Sequence, residues 1–292
     1  MEAVAPSCVV QQTVAVVLNE QVAQDTFLLR LDAPEIARTI IPGQFLMVRA
    51  GSTNDPLLGR PFALYDVVRD GSGAPRYVDV VYLVIGRGTK ALAQAAPGER
   101  LPVWGPLGNG FGPAPSVPGH IYFVAGGIGQ TPFLALGKWW RGETYVGLIA
   151  GPPWPGSITL FYGVRTRSFA TRLDDFADAG IAVELATDDG SAGHPGFVTD
   201  LLQLRLERGE RPARVVGCGP PPMLRTLAQL VAKYAVPCDL SLENHMACGF
   251  GACFSCVAPI RQADGGVDLR RVCVEGPIFS ASDVVLDALT GH

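Results

Sequence analysis

Four cysteines near the end of the sequence have a spacing that suits iron–sulfur chemistry. They are Cys248, Cys253, Cys256 and Cys273. A C-x4-C-x2-C run with a distant fourth Cys is a spacing that surrounds a [2Fe–2S] cluster with four thiolates. Three of these ligands must come from one tight loop, and Gly249 and Gly251 allow the positive φ angles that such wrapping requires. The spacing therefore predicts a [2Fe–2S] centre.

Two other interpretations of these cysteines remain open. A zinc site would use the same thiolates, but zinc loops favour paired C-x2-C knuckles, and only one such pair is present. The four could also be unrelated buried thiols. A disulfide framework is disfavoured because the total of seven cysteines is odd and the first residues show no secretory signal. These features predict a cytoplasmic protein.

An arginine beside a rigid proline marks a candidate phosphate site in the first third of the chain. The guanidinium fork of Arg60 matches phosphate oxygens, and the residues after it can offer backbone groups to a ring edge. The turn 86–89 is a second candidate, since glycines expose N–H groups and Thr89 carries a hydroxyl. Either segment could instead be an ordinary turn. The predicted cofactor contacts here are Arg60, Pro61, Phe62, Ala63, Val81, Tyr82, Leu83, Gly88 and Thr89.

A glycine-rich run between a predicted strand and a predicted helix indicates a nucleotide site. The run 126–129 is not the G-x-G-x-x-G fingerprint, but its glycines would also let a pyrophosphate approach a helix N-terminus. A second run, 218–223, ends a later strand at the carboxyl edge, where open α/β sheets bind ligands. Its first residue, Cys218, could equally be a small buried hydrophobic residue. The predicted nucleotide contacts are Gly126, Gly127, Gly129, Gly219 and Pro220.

The elements that would position these residues change along the chain. Up to residue 112, short apolar runs separated by turn residues predict a small antiparallel β-barrel. From 113 to 237, buried strand patterns alternate with helical periods, which predicts a parallel sheet covered by helices. The segment 238–292 is too short to hold its own core, and its cysteines would act as a staple. The sequence thus predicts a multidomain β and α/β protein with segments 1–112, 113–237 and 238–292.

Composition excludes several functional classes. With 48% hydrophobic and 17% charged residues, the chain can bury a sizeable core and is not a disordered protein. The net charge is -4 and no basic block stands out, which argues against nucleic-acid binding. The mean hydropathy is +0.25, yet no apolar stretch reaches the roughly 18 residues of a membrane span.

The order of these motifs resembles that of a known family. The segments similar to the ferredoxin–NADP reductase superfamily are Arg60–Ala63, Gly88–Thr89, Gly126–Gly129 and Cys218–Pro220. The segments that look more specifically like the electron-transfer subunits of NAD-dependent, class 1B dihydroorotate dehydrogenases are Gly105–Phe111, Ala186–Gly193 and Met246–Cys253. The resemblance covers nearly the whole chain.

This resemblance implies FAD in the barrel, NAD on the parallel sheet and the [2Fe–2S] cluster after them. It also implies an FMN-containing catalytic subunit as partner, in a heterotetramer of two plus two chains. Electrons would pass between that FMN, the cluster, FAD and NAD(H) as dihydroorotate is oxidised to orotate in pyrimidine biosynthesis. Cys218, the implied catalytic position, would lie near the nicotinamide and help to orient it. Phe250 and Phe254 would contact the partner or shield the cluster from water.

Some features depart from the family pattern or leave a choice open. Ala63 stands where the family usually has Ser or Thr, and residues 145–157 look inserted. Arg165 and Arg167 could contact the 2′-phosphate of NADP or merely lie at the surface. Two alternatives are the small subunit of a ferredoxin:NAD(P) oxidoreductase or sulfhydrogenase, and a non-catalytic cluster-bearing sensor. The long interval between the third and fourth cysteines disfavours the first, and the flavin motif disfavours the second.

Overall fold

The computed structural model describes residues 9–51, 55–145 and 153–288. Within them the strands form two seven-stranded sheets and one two-stranded sheet. One large sheet is antiparallel and the other is mainly parallel, so the predicted fold class is confirmed. Among the described residues, no helix is both long and apolar enough to cross a membrane.

The first sheet is antiparallel and carries the predicted flavin contacts. Its strands are β1 (Val10–Ala23), β2 (Thr26–Asp32), β3 (Phe45–Val48), β4 (Arg60–Ala63), β5 (Asp66–Arg69), β6 (Pro75–Leu83) and β7 (Arg100–Leu107). They lie in the order β4-β3-β7-β1-β2-β6-β5. Two short helices accompany them, α1 (Pro34–Ala37) and α2 (Arg87–Leu92). Fully buried residues such as Leu29, Leu31 and Val78 pack together on the inner face, as expected for strands with one buried side.

The antiparallel sheet curls until strands from its opposite ends meet. The ring of Phe62 in β4 lies 5.4 Å from that of Tyr82 in β6, centroid to centroid. Just after β4, the backbone N–H of Tyr65 donates to the carbonyl of Asp79 at 2.9 Å. The carboxylate of Asp79 is buried, and Arg30 satisfies it with two hydrogen bonds of 2.8 Å. The pairing with Arg30 stabilises the fold, because a buried carboxylate without a partner would be strongly destabilising.

The second sheet is built from alternating strands and helices. Its strands are β8 (His120–Gly126), β9 (Ser157–Val164), β10 (Ala182–Thr187), β11 (His194–Pro195), β12 (Arg214–Cys218), β13 (Cys238–Ser241) and, as an antiparallel edge, β16 (Ile278–Ser280). They lie in the order β11-β10-β9-β8-β12-β13-β16. Its helices are α3 (Phe133–Trp140), α4 (Leu173–Asp178), α5 (Val198–Glu207) and α6 (Pro221–Lys233). The carboxyl ends of β8 and β12 are neighbours, which brings the two predicted nucleotide runs to one edge.

The C-terminal part of the chain shares its core with both sheets. The hairpin of β14 (Val257–Arg261) and β15 (Val267–Arg271) is the two-stranded sheet. Its buried residues Ala258 and Ile260, together with Cys256 just before β14, belong to one hydrophobic cluster with Met47 of β3 and Leu240 of β13. The predicted segment from 238 begins at β13, which is itself part of the parallel sheet. The division into three segments stays a prediction.

Candidate flavin, nucleotide and cluster sites

The structure brings the four C-terminal cysteines together as two neighbouring pairs. Cys248 lies close enough to Cys253 to lower its pKa, and Cys256 lies close enough to Cys273 to raise its pKa. Cys248 and Cys256 also act electrostatically on Cys273, so the two pairs adjoin. Hydrogen bonding from Ser255 and then Cys248 lowers the pKa of Cys253 to about 6, whereas burial raises that of Cys273 to about 12.

This arrangement fits a two-iron cluster better than a single zinc ion. Across residues 9–51, 55–145 and 153–288, no three His, Cys, Asp or Glu side chains converge as a set that could hold one metal ion. A structural zinc ion needs four ligands around one centre. A four-cysteine [2Fe–2S] cluster instead shares its thiolates between two irons, which is the distribution that two adjoining pairs of thiols can supply.

The loop that carries three of these cysteines is shaped by residues with positive φ. Gly249 and Gly251 have φ values of +82° and +89°. A Cβ on Gly249 would come within 2.6 Å of Met47 Cγ, and one on Gly251 within 2.6 Å of Val274 Cγ2. Both glycines are thus required by conformation and by close packing. The loop follows the surface of the barrel at the first position and the C-terminal segment at the second.

Side chains of strand β7 and of the turn after it hold the cluster segment against the barrel. The indole N–H of Trp104 donates to the carbonyl of Cys248 at 2.8 Å. The side-chain amide of Asn109 donates to the carbonyls of Glu275 and Ile278, both at 3.0 Å, and accepts a bond from the N–H of Ile278. Neither residue was among the predicted site residues. Asn109 lies in a run that carried the family resemblance, whereas nothing in the spacing indicated Trp104.

The outer surface of the cluster loop is apolar, with one cation beside it. Phe250 and Phe254 expose 57% and 60% of their surface. The guanidinium of Arg271 lies over the ring of Phe254 at 5.0 Å and donates to the carbonyl of Gly251 at 3.3 Å. Glu275 holds the same guanidinium from the other side at 2.8 Å. Arg271 therefore supplies positive charge close to a loop of thiolates.

The two predicted phosphate-binding segments of the barrel meet in space. A Cβ built on Gly88 would lie 3.0 Å from Nε of Arg60, so the guanidinium packs directly on the glycine. Arg60 also donates to the carbonyls of Leu58 and Gly59, at 2.9 and 3.1 Å, which fixes its fork beside α2. The absence of a side chain at Gly88 leaves room for this approach. A fixed guanidinium next to a glycine turn is a fitting cradle for a pyrophosphate.

The remaining predicted flavin contacts differ in how their side chains are used. The hydroxyl of Thr89 accepts bonds from the N–H groups of Ile85 and Gly86, at 3.0 and 3.1 Å, so it stabilises its own turn. The hydroxyl of Tyr82 donates to Asn19 at 3.0 Å inside the barrel. Val81 and Phe62 are also buried, while Pro61, Ala63 and Leu83 are partly exposed. Backbone groups of β4 and β6 are therefore the better candidates for contact with a ring.

The two glycine runs at the edge of the parallel sheet are packed against each other. A Cβ on Gly129 would come within 2.3 Å of the carbonyl of Cys218, and one on Gly126 within 2.8 Å of Pro220. A Cβ on Gly219 would likewise come within 2.9 Å of the backbone nitrogen of Gly126. By contrast, Gly127 has φ +56° and open space around its Cβ position. The tight contacts join the two runs, and Gly127 faces the space that a pyrophosphate could occupy.

Cys218 is buried at the carboxyl end of β12. Its Sγ lies 3.9 Å from Oε1 of Glu243, and burial raises the pKa of the thiol well above its ordinary value. The thiol is therefore protonated at neutral pH, which suits an orienting role and not that of a nucleophile. Glu243 was not among the predicted residues. It follows β13, the strand next to β12, and this adjacency is visible only in the fold.

Polar contacts fix the barrel against the parallel sheet. The hydroxyl of Tyr65 donates to Asp175 at 2.6 Å, and Lys138 pairs with Asp66 at 2.7 Å. The hydroxyl of Tyr145, at the start of the segment that looked inserted, also donates to Asp66, at 3.1 Å. Residues 146–152 of that segment lie outside the described residues. These contacts hold the predicted flavin strand and the predicted nucleotide edge in a fixed relation.

Comparisons with known proteins agree with this geometry. Residues 243–285 match the family described as the iron-sulfur cluster binding domain of dihydroorotate dehydrogenase B. The electron transfer subunit of dihydroorotate dehydrogenase B (NAD(+)) from Desulforamulus reducens is 37% identical, over 90% of this chain and 94% of its own length. The protein of that name from Geobacillus kaustophilus is 34% identical, over 94% and 99%.

Solved structures share the fold at lower sequence identity. One described as an NADH-dependent reduced ferredoxin-NADP oxidoreductase has a TM-score of 0.78 and 24% identity, and the match covers 94% of this chain and 91% of that one. The ferredoxin reductase of carbazole 1,9a-dioxygenase has a TM-score of 0.62 and 21% identity, with coverage of 78% and 67%. At these identities, the likeness establishes the fold alone.

Proposed function

Because the chain belongs to the family of dihydroorotate dehydrogenase B electron transfer subunits, we propose that it carries electrons between NAD(H) and a catalytic subunit that oxidises dihydroorotate. Oxidation of dihydroorotate to orotate releases two electrons and two protons. NAD+ takes up both electrons and one proton as NADH, and the second proton goes to solvent. The partner proposed from the resemblance is an FMN-containing subunit, in a heterotetramer of two plus two chains, and the proposed location is the cytoplasm.

The adjacency of the three candidate sites is the observation that carries this proposal. The indole N–H of Trp104 donates a hydrogen bond to the backbone carbonyl of Cys248, and the indole ring packs on Gly59, the residue before Arg60. On the other side, Val81 of β6 shares a hydrophobic cluster with Cys218 at the nucleotide edge. A chain of electron carriers requires its sites to be close together, and these contacts support a flavin site that adjoins the other two candidate sites.

We assign the residues as follows. Arg60 and the Gly88 turn would hold the pyrophosphate of FAD, and the edge formed by Gly126–Gly129 and Cys218–Pro220 would hold NAD. The four thiols Cys248, Cys253, Cys256 and Cys273 would ligate the cluster. Bound there, FAD would supply hydride exchange with NAD and single-electron transfer to the cluster, chemistry that is the cofactors' own. The chain's contribution is to bind, orient and insulate them.

The nucleotide edge also favours NAD over NADP. Asp188 and Asp189 follow β10 at this edge, and bonds from Ser191 to Asp189 lower the pKa of its carboxyl. A carboxylate there accepts a ribose hydroxyl and repels a 2′-phosphate. Of the two arginines at the end of β9, Arg165 lies over the ring of Phe169 at 5.1 Å, and Arg167 donates to the carbonyl of Ala170 at 3.3 Å. Both are therefore engaged at the surface.

Reconstitution tests the proposal. The chain, purified anaerobically, is expected to contain FAD, iron and acid-labile sulfide, and to reduce artificial acceptors with NADH but not to oxidise dihydroorotate. Adding the FMN-containing catalytic subunit is expected to produce NAD-dependent dihydroorotate oxidation. In the assays with artificial acceptors, NADPH is expected to be a much poorer electron donor than NADH. Zinc without sulfide would contradict the cluster assignment. Dihydroorotate oxidation by the chain alone would contradict the division of labour.

A further inference from the structure

We propose that Trp104 is a positioning residue that sets the distance between the flavin site and the cluster loop. The inference rests on the proposed function, since it assumes FAD on β4 and a cluster on the loop of Cys248. It concerns a residue that no motif of the sequence indicated.

The indole of Trp104 spans the space between the two sites. The benzene edge of the ring faces Gly59, where an added Cβ would meet Cη2, Cζ2 and Cζ3 at 2.5, 3.1 and 3.2 Å. The pyrrole edge faces the other way, and its N–H donates to the carbonyl of Cys248 at 2.8 Å. One rigid ring therefore contacts the residue next to Arg60 at one side and the first cluster cysteine at the other.

The neighbouring residue in the sheet reinforces this placement. Met47 of β3 pairs with Trp104 of β7, and its side chain lies under Gly249, the residue after Cys248. Two adjacent side chains of the barrel thus support two consecutive residues of the loop. A tryptophan suits this role because its large ring has few rotamers and its N–H needs a partner where it is half-buried.

Two substitutions disturb this bridge in different ways. Trp104→Phe keeps an aromatic ring but removes the N–H, so the Cys248 carbonyl loses its donor. Gly59→Ala leaves the indole intact, but the new methyl group would press on its benzene edge. Gly59 does not have a positive φ, so the substitution adds this contact without straining the backbone. Both leave Arg60, the four cysteines and the nucleotide edge unchanged.

Each substitution has a matched control. Trp154→Phe removes the N–H of another buried tryptophan, one that has no hydrogen-bond partner among the described residues and lies on the parallel sheet's side of the molecule. Gly71→Ala adds a methyl group where no atom lies within 4 Å and the backbone requires no positive φ. Neither control touches the cluster loop.

The experiment measures FAD content, iron release to a chelator, the electron paramagnetic resonance spectrum of the reduced protein, and the rate at which NADH reduces the cluster. For Trp104→Phe we expect unchanged FAD, a shifted spectrum, slower cluster reduction and about fivefold faster iron release, the factor that corresponds to one neutral hydrogen bond of about 1 kcal/mol. For Gly59→Ala we expect the same shift and slowing. If Trp104→Phe fails to fold, Gly59→Ala provides the same readouts with the indole present.

The inference would be overturned if both variants had the spectrum and the cluster reduction rate of the wild type. A lower thermal stability would not rescue it, because substitutions around a tryptophan that only packs would lower the stability and leave the spectrum and the rate unchanged. If the wild-type protein takes up FAD and iron and both variants behave as their controls do, the inference fails but the proposed function stands. A wild-type protein that takes up neither cofactor would overturn the proposed function and this inference with it.

Discussion

Single side chains decide whether the cluster loop can hold metal, and Cys253 is the most exposed of its four thiols. Changing Cys253 to Ala removes one of four ligands, so we expect loss of iron and sulfide and a looser C-terminal segment, since this segment has no core of its own. Iron and sulfide analysis measures the first effect, and protease susceptibility measures the second. Cys238→Ala serves as the control, because this buried thiol lies in β13, and retained iron in Cys253→Ala would contradict the assignment.

Arg60 is the corresponding residue for the flavin. Arg60→Ala removes the guanidinium that packs on Gly88. Because charge-assisted hydrogen bonds contribute about 1.5–3 kcal/mol, we expect FAD to bind roughly 10- to 150-fold more weakly. Equilibrium titration of the apoprotein with FAD measures the change. Arg69→Ala removes an arginine whose guanidinium donates to the backbone carbonyls of Gly73 and Thr144, and this variant is expected to bind FAD normally.

Arg271 places positive charge beside the cluster loop, where it bonds Gly251 and Glu275. Arg271→Gln removes that charge, and reduction adds an electron to the cluster, so the reduction potential is expected to become more negative. The change is expected to be small because Glu275 pairs with this half-buried guanidinium and solvent screens its remaining field. A redox titration followed by electron paramagnetic resonance measures it. Arg270→Gln, whose guanidinium bonds Gln262, is the neighbouring control, and equal potentials in both variants would contradict the role of Arg271.

The sequence predicts residues well where chemistry constrains type and spacing together. The four cysteines and the pair of Arg60 with a distant glycine turn were predicted; the structure brings the cysteines together as two neighbouring pairs and packs Arg60 on Gly88. Trp104, Glu243 and Tyr65 were not predicted, because their roles depend on contacts across the fold. The family that the motifs resemble is confirmed by its relatives, whereas the ligand roles of individual residues stay predictions.

At the scale of elements, we expect the turn after β8 to govern access to the predicted nucleotide edge. Gly127 has φ +56°, a conformation that side chains disfavour, and open space lies where its Cβ would point. Gly127→Val is expected to raise the Michaelis constant for NADH at least tenfold while the spectrum of bound FAD stays normal. Steady-state kinetics with an artificial acceptor measures it. Gly112→Ala is a control with open space and no positive φ, and an unchanged Michaelis constant in Gly127→Val would count against the site.

Strands and helices with clear periodicity were predicted close to their observed places. The alternation of strands and helices predicted for residues 113–237 is observed as the strands β8 to β12 with the helices α3 to α6. Helix α3 begins directly after its cap residue Pro132, and a 3-10 turn at Gly127–Gln130 precedes it. The antiparallel edge strand β16 was not predicted, since three residues carry too little pattern.

At the scale of the whole molecule, the cluster segment, the barrel and the parallel sheet share buried residues, so no segment is independent of the others. Cys256 and Cys273 pack in the same cluster as Met47 of β3 and Leu240 of β13. Sequence patterns identify each segment but not this shared core, because contacts between segments leave no local period. The shared core keeps the cluster loop on the barrel and leaves one side of the loop uncovered.

That uncovered side is the surface we expect the catalytic subunit to contact. Phe250 and Phe254 are more than half exposed and lie within the cluster loop, and large exposed apolar side chains rimmed by polar groups are typical of interfaces.

The double variant Phe250→Ser, Phe254→Asn removes both rings, with Asn chosen because Phe254 has φ +56° and Asn tolerates that conformation. The variant is expected to bind the FMN-containing subunit at least tenfold more weakly, because truncating an aromatic hot-spot residue costs about 2 kcal/mol or more and about 1.4 kcal/mol corresponds to tenfold. Its reduction of artificial acceptors by NADH is expected to stay normal. Titration calorimetry measures the affinity, and Val117→Ser, at a residue 67% exposed elsewhere on the surface, is the control. Affinity equal to that of the control would show that the two rings only shield the cluster from water.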